Sequence, residues 1–321
     1  MIIEHLEIYN ADVKEGFLSL YQQKSQAIYR SVFQKTKAIE LFFNKDLYDF
    51  NEVDLYNLFI RFRLDYTSTA RSYGRIITKY IDWSIENGLR NDLVNPLRQV
   101  KTKWFDQFVR EEKLYFTHKE IIEIEDECVN AQDSVLIRLI FEGVLGKSAA
   151  ELCNLKKTDV DFEKSELHLT DFDSSTRKLL VTERAIELIQ KANKQKEYKK
   201  SNGMMLQRDN VREFTDLNNT EYVIRSSNTK KDQILREVDK FVIYRRITSV
   251  ENQLKLKHFT IKNIQRSGML KQARDILIAN EKFELEYIDF LTIANLYNVN
   301  SIHTLTNFIT EDKVFELYLD K

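Results

Sequence analysis

The sequence predicts a mainly α-helical protein of two domains, the second carrying a small antiparallel sheet. Three observations carry that reading. Seven glycines and one proline in 321 residues are few turn-formers for a β-sandwich or a parallel α/β fold. Apolar residues recur at helical spacing along most of the chain. A single hairpin pattern stands out, near Glu166–Val181. The length suits two domains, and 43% apolar content is ordinary for a folded chain.

The first domain is expected over residues 1–104. Val13, Phe17, Leu20 and Tyr21 share one helical face, and Ile28, Val32 and the Ile39–Phe43 cluster share the next. A short helix follows at Glu52–Phe62. Thr67 or Ser68 then caps a longer one whose Tyr73, Ile76, Ile77, Tyr80 and Trp83 form an apolar stripe. Gly88 closes it in a left-handed turn, and Pro96 stops the next element. Arg71, Arg75 and Lys79 lie off the stripe, where they meet either phosphates or solvent. Residues 105–116 are expected as a linker, inside an Arg98–Lys113 stretch with five Lys/Arg in sixteen residues.

The second domain is expected over residues 117–321. Thr117 and Glu120 read as a capping box opening its first helix. The hairpin pairs Leu167–Thr170 with Lys178–Val181 across a turn at Asp171–Ser175, and Thr182 caps the helix that follows. A basic loop holding Arg225, Lys230 and Lys231 offers phosphate contacts or a solvated surface. It feeds a helix with Ile234, Val238, Phe241, Val242 and Arg245 spaced on one side. Ser267 reads as the cap of a helix over Met269–Ile278, which sets Lys262 and Arg266 just before a helix start, a suitable place for a phosphate. Helices at Leu285–Leu296 and Thr304–Leu319 close the chain. From Glu281 onward eight acidic residues face three Lys/Arg, so this tail is expected to point away from a polyanion.

Composition narrows the function classes. No run approaches eighteen apolar residues and no cationic-then-apolar segment opens the chain, so a cytoplasmic protein is expected, without membrane contact. Cys128 and Cys153 sit in helical patterns without metal-ligand partners and read as free thiols; no metal or cofactor is expected. The formal net charge is -1, yet Lys240–Lys271 holds eight Lys/Arg against one acidic residue, Glu251. Such an island suits a polyanion, because neutralised phosphates release counterions. A solvated helix surface explains it as well.

That island opens a stretch, Lys257–Phe308, that resembles the C-terminal half of a tyrosine recombinase of the phage integrase family. The family carries His-x-x-Arg, then Gly-His, then a tyrosine nucleophile ten residues after that His. Here Asn263-Ile264-Gln265-Arg266 occupies the first motif, Tyr297-Asn298 the second, and the nucleophile's position falls on Phe308. Asp133–Asp161 resembles the family's first box. Glu151-Leu152, Leu155 and Asp159-Val160-Asp161 match it, while Ser148 stands where the arginine belongs and Lys147 is the nearest base. Thr67–Pro96 resembles the central helix of the family's core-binding domain.

The resemblance implies a two-domain tyrosine-recombinase-like fold: a helical core-binding domain, then a catalytic-like domain without its catalysis. A phenyl ring cannot form a phosphotyrosyl bond, so Lys147, Ser148, Asn263, Asn298 and Phe308 are read as degenerate catalytic positions and Arg266 as the survivor. The family's hairpin lysine is also missing, since Arg177 and Lys178 come only after the turn. The likeness extends to integrase-fold repressors that keep prophages in lysogeny. It implies a transcriptional repressor at the nucleoid, bound to double-stranded operator DNA through Arg266, Lys262, Arg225, Lys147, Lys230, Lys231, Arg71 and Arg75. A homodimer on DNA and a regulatory protein partner are further expectations. A recombinase with a displaced nucleophile, at Tyr287, Tyr297 or Tyr318, is the first alternative, although Tyr287 and Tyr297 fit apolar helical spacings and are expected in the core; an accessory protein-binding module is the second.

Overall fold

A computed structural model of the chain describes residues 8–110, 113–203, 212–228 and 236–319. It divides into two compact units, Met1–Glu112 and Lys113–Lys321.

The first unit is built from α1 (Ala11–Leu18), α2 (Gln23–Phe43), α3 (Glu52–Phe62) and α4 (Thr67–Glu86), followed by short 3₁₀ turns at Pro96–Arg98 and Thr102–Phe108. Its core is aromatic: Phe17, Phe33, Phe50, Phe59 and Tyr80 are fully buried. Asn51 and Asp54 close a capping box on α3. Helix α4 starts at Thr67 with Tyr66 at its cap, so neither Thr67 nor Ser68 caps it by side chain. Its end follows the expectation. Gly88 takes φ 68°, and Leu89 N–H reaches back to Ser84 O at 2.8 Å. Gly74 lets the Phe105 ring lie on the helix, since a Cβ there would come within 2.3 Å of it. The expected linker is therefore shorter than 105–116: Phe105 and Phe108 belong to this core, and Phe116 to the core of the second unit. Aromatic rings of that size are buried because leaving them in water forfeits about 1.5–3 kcal/mol each.

The second unit is centred on α6 (Ala131–Phe141), where every residue from Gln132 to Phe141 is buried. Around it pack α5 (His118–Glu127), α8 (Glu183–Lys194), α9 (Lys240–Gln253) and α10 (Ile261–Ala279). The Thr117–Glu120 capping box opens α5, and the Thr182 side chain accepts from Ala185 N–H at the start of α8. A short α7 (Ala150–Asn154) leads into the sheet β1 (Val160–Asp161), β2 (Glu166–Thr170) and β3 (Thr176–Leu180), antiparallel in that order with Leu167 opposite Leu179. A second small sheet, beyond the one expected, pairs β4 (Glu197–Lys199) with β5 (Phe214–Asp216). The C-terminal half of α10 makes a further core with α11 (Tyr287–Leu296), α12 (Ile302–Thr306) and α13 (Glu311–Leu319). The closing helix expected at Thr304–Leu319 is thus two helices.

Candidate nucleic-acid interface

Helix α10 begins at Ile261, six residues before the expected cap. Thr260 accepts from Asn263 N–H, whereas Ser267 lies inside the helix and gives its hydroxyl to Asn263 O at 2.6 Å. Threonine precedes an apolar-periodic run at the earlier position as well, so two capping residues competed and the longer helix won. Lys262 and Arg266 accordingly sit on the helix, one turn apart, with Lys262 exposed. Partial burial, and then the neighbouring Arg266 charge, hold the Lys262 ammonium below the ordinary lysine value. Asn263 is buried and its amide donates to His258 O at 2.9 Å. Phe308 is buried too, and the Arg266 guanidinium stacks on its ring, 4.4 Å from the centroid, while donating to the Tyr115 hydroxyl. So Arg266 and Phe308 come together, as the sequence motifs require.

A second group forms where the turn after α6 meets the hairpin. Gly146, Ser148 and Ala149 all take left-handed φ, near 57–67°. Lys147 N–H and Phe172 N–H both donate to Asp171 Oδ1 at the hairpin tip, and the Lys147 ammonium rests 5.4 Å from the Phe172 centroid. Glu151, fully enclosed, accepts from Leu145 N–H and from Arg177 Nε at 2.6 Å. Arg177 also donates to Gly143 O, Leu296 O and the second Glu151 oxygen, all at 2.8 Å. Asn298 completes the group, its amide shared between Asp171 Oδ2 at 3.0 Å and Glu151 Oε1 at 3.3 Å. Lys147, Ser148 and Asn298 are therefore gathered in one place, but the asparagine is committed to two carboxylates. The sequence places Arg177 just after the hairpin turn, and no motif in it points to the pairing with Glu151.

Two family models match most of the chain: "MrpR, C-terminal catalytic domain" over residues 115–319 and "MrpR, N-terminal core-binding domain" over residues 8–86. The chain belongs to the MrpR family. Among curated proteins it is similar to the SPbeta prophage-derived uncharacterized protein YopR of Bacillus subtilis (strain 168), 27% identical over 323 residues that cover 98% of both chains. Among solved structures it resembles a lambda integrase(75-356) dimer bound to a COC' core site, with a TM-score of 0.50 at 11% identity, covering 94% of this chain and 95% of that one. The Tn1549 transposon integrase in complex with circular intermediate DNA matches equally well, at 0.50 and 12% over 93% and 94%. The fold is that of the tyrosine recombinases and integrases.

In this MrpR-family chain the remaining tyrosines are placed as follows. Tyr297 is buried, donates to Phe141 O at 2.9 Å, and is pushed well above the usual tyrosine pKa by desolvation. Burial likewise raises Tyr318. Tyr287, expected in the core by its helical spacing, is 68% exposed.

The basic residues sort into three kinds. Arg225 is a correction: it is 4% exposed, and its guanidinium donates to Ala192 O and Gln195 O at the end of α8, where a helix C-terminus needs donors. Arg71 is held in a bidentate pair with Asp106 at 2.8 and 2.5 Å. Arg75 is exposed, its Nε on Arg71 O. Lys230 and Lys231 lie outside the described residues.

The helix expected after the basic loop is α9, but the sequence does not show which of its faces is turned outward. Its buried side is Ile243, Arg246, Ile247 and Val250, which leaves Phe241 60% and Tyr244 42% exposed beside exposed Lys240, Arg245 and Thr248. Phe241 and Arg245 thus face outward. In the first unit, α2 and α4 present Lys35 over the Tyr73 ring, Lys79 over the Tyr21 ring, and Arg75. Among the described residues no group of three or more His, Cys, Asp and Glu could hold a metal ion, and no helix is long and apolar enough to cross a membrane.

Proposed function

We propose that this chain is a sequence-specific double-stranded DNA-binding transcriptional repressor that keeps a prophage in lysogeny, on a tyrosine-recombinase scaffold that neither cuts nor joins strands. The observation that carries the reading is Phe308: the position of the nucleophile is a buried phenyl ring with Arg266 stacked on it. Asn263 and Asn298 cannot exchange a proton near neutral pH as histidine does, so acid–base help is missing at both positions. The prophage origin of the B. subtilis relative and the DNA in the integrase structures support the rest. Lys262 and Arg266 serve as phosphate anchors on α10, and Lys147 contributes a point charge at the hairpin. Helix α9 offers the residue types that read base edges. Operator DNA, a second copy and a regulatory protein are the partners of such a repressor, and the nucleoid its place in the cell.

The chemical test is a suicide substrate, a nicked duplex carrying the preferred site, run on a denaturing gel. Neither the natural chain nor Phe308→Tyr is expected to give a covalent protein–DNA band, because Lys147 or Ser148 in place of an arginine still lacks the guanidinium that stabilises a phosphoryl group in transfer. A band from the natural chain would establish the displaced-nucleophile recombinase; absence of any shift on native gels would favour the protein-binding module.

The binding residues separate by salt and by sequence. Lys262→Ala is expected to weaken all duplexes nearly alike and to lower the salt slope by roughly 1. Arg245→Ala should instead narrow the gap between preferred and random sites, by about 1–3 kcal/mol. Equal weakening on both kinds of site would exclude base reading by Arg245.

A further inference from the structure

Among the exposed apolar surfaces of the described residues, two lie outside the DNA-contacting groups proposed above and complement one another. On the first unit, Val53, Tyr56 and Ile60 follow one another at helical spacing along α3 and are 67%, 44% and 50% exposed. The first two open onto a cavity of about 450 Å³ floored by Leu97, Val100 and Trp104. Glu52 is the acidic residue of its lining, while exposed Lys101 and Lys103 are the chain neighbours of the lining residues Val100 and Trp104, and exposed Arg61 that of Ile60. On the second unit, the turn from α10 into α11 carries Phe283, 80% exposed, with Tyr287 and Ile288 at 68% and 60%. Glu281, Glu284 and Glu286 are exposed around them, and Lys282, the cation of that turn, is held by Asp289 at 2.5 Å. One surface is concave and apolar, with exposed bases next to its lining residues in the chain; the other projects aromatic and aliphatic groups from an acidic turn.

We propose that the α3 groove of one copy receives the Phe283 corner of a second copy. Exposed apolar patches rimmed by charge mark association sites. Opposite charge around matching apolar surfaces supplies both attraction and register. The contact joins two different surfaces of the chain, so one copy supplies its groove where the other supplies its corner.

The test is sedimentation velocity of the full chain without DNA, at low and high salt, so that its outcome is independent of the repressor reading. Concentration-dependent association that weakens with salt is expected. Val53→Glu and Phe283→Ser should each weaken it about tenfold or more, the equivalent of one apolar side chain no longer buried. Both positions are exposed, and melting curves equal to the natural chain's will confirm that the variants fold. An equimolar mixture of the two variants should recover a dimer and nothing larger, because that pair holds one intact groove and one intact corner. The proposal is overturned if the natural chain sediments as a monomer throughout, if either substitution leaves association unchanged, or if the mixture stays monomeric. In the first case the groove belongs to a different protein.

Discussion

Lys14→Met is expected to destabilise the first unit by about 3–5 kcal/mol at neutral pH, the usual consequence of removing one partner from a buried ion pair. Lys14 and Glu40 are both fully buried, with Nζ 2.5 Å from Glu40 Oε1, 3.5 Å from Asp46 Oδ2 and 2.8 Å from Tyr9 O. Glu40 also accepts from Thr36 and from Leu47 N–H, and Asp46 from Tyr80 and Asn10. Without the ammonium, two carboxylates are left in a dry aromatic core. Burial already raises the Glu40 pKa and Lys14 is the largest influence opposing it, so the variant's carboxyl should take up a proton in the folded state. A folded pKa above the unfolded one means stability lost as pH rises, so the gap from the natural chain should narrow as pH falls toward about 4.5. Lys14→Met with Glu40→Gln should recover part of the loss at neutral pH. Denaturant melts at two pH values measure all of this; a loss under about 1 kcal/mol at neutral pH would show that the pair contributes little.

Gly268→Ala is expected to lower the melting temperature of the second unit by about 4–8 °C. Helix propensity alone favours alanine by about 1 kcal/mol at an interior position. Here sterics decide the outcome. A Cβ at 268 would stand 1.8 Å from Phe141 O and 2.5 Å from the Tyr297 hydroxyl, the two groups that hydrogen-bond to each other where α10 crosses α6. Backbone cannot withdraw like the tip of a flexible side chain, so the helices must separate, and overpacking of this kind costs about 3 kcal/mol. The net of about 2 kcal/mol converts to the stated shift for a unit of this size. A melting temperature unchanged within a degree would mean that α10 slides freely over α6.

The architecture was legible where local chemistry and tertiary packing agree. Thr117 with Glu120, Thr182, Gly88 and the hairpin about Asp171–Ser175 each satisfy backbone groups within a few residues, and each is found where the sequence places it. The misplacements have one cause in common. Ser267 looked like a cap, Arg225 like a loop cation and Tyr287 like a core residue, because spacing reports which residues share a face but not what lies opposite. Arg225 is drawn inward by the carbonyls ending α8, from 30 and 33 residues away. Of the candidate site, motif alignment located Arg266 beside Phe308. It could not show that Arg177 would bind Glu151, nor that α9 turns Phe241 and Tyr244 to solvent.

The bridge from Asn298 to Glu151 and Asp171 bears on how this lineage can change. On the proposed reading, the former catalytic positions have acquired a second occupation. A histidine at 298 would need its ring to replace a forked amide between two acids. The step back at 298 therefore gives up this bridge before it restores any chemistry. If the scaffold is inactive as proposed, position 298 works as a ratchet: a chain with histidine there alone forfeits the bridge while Phe308 still offers no nucleophile.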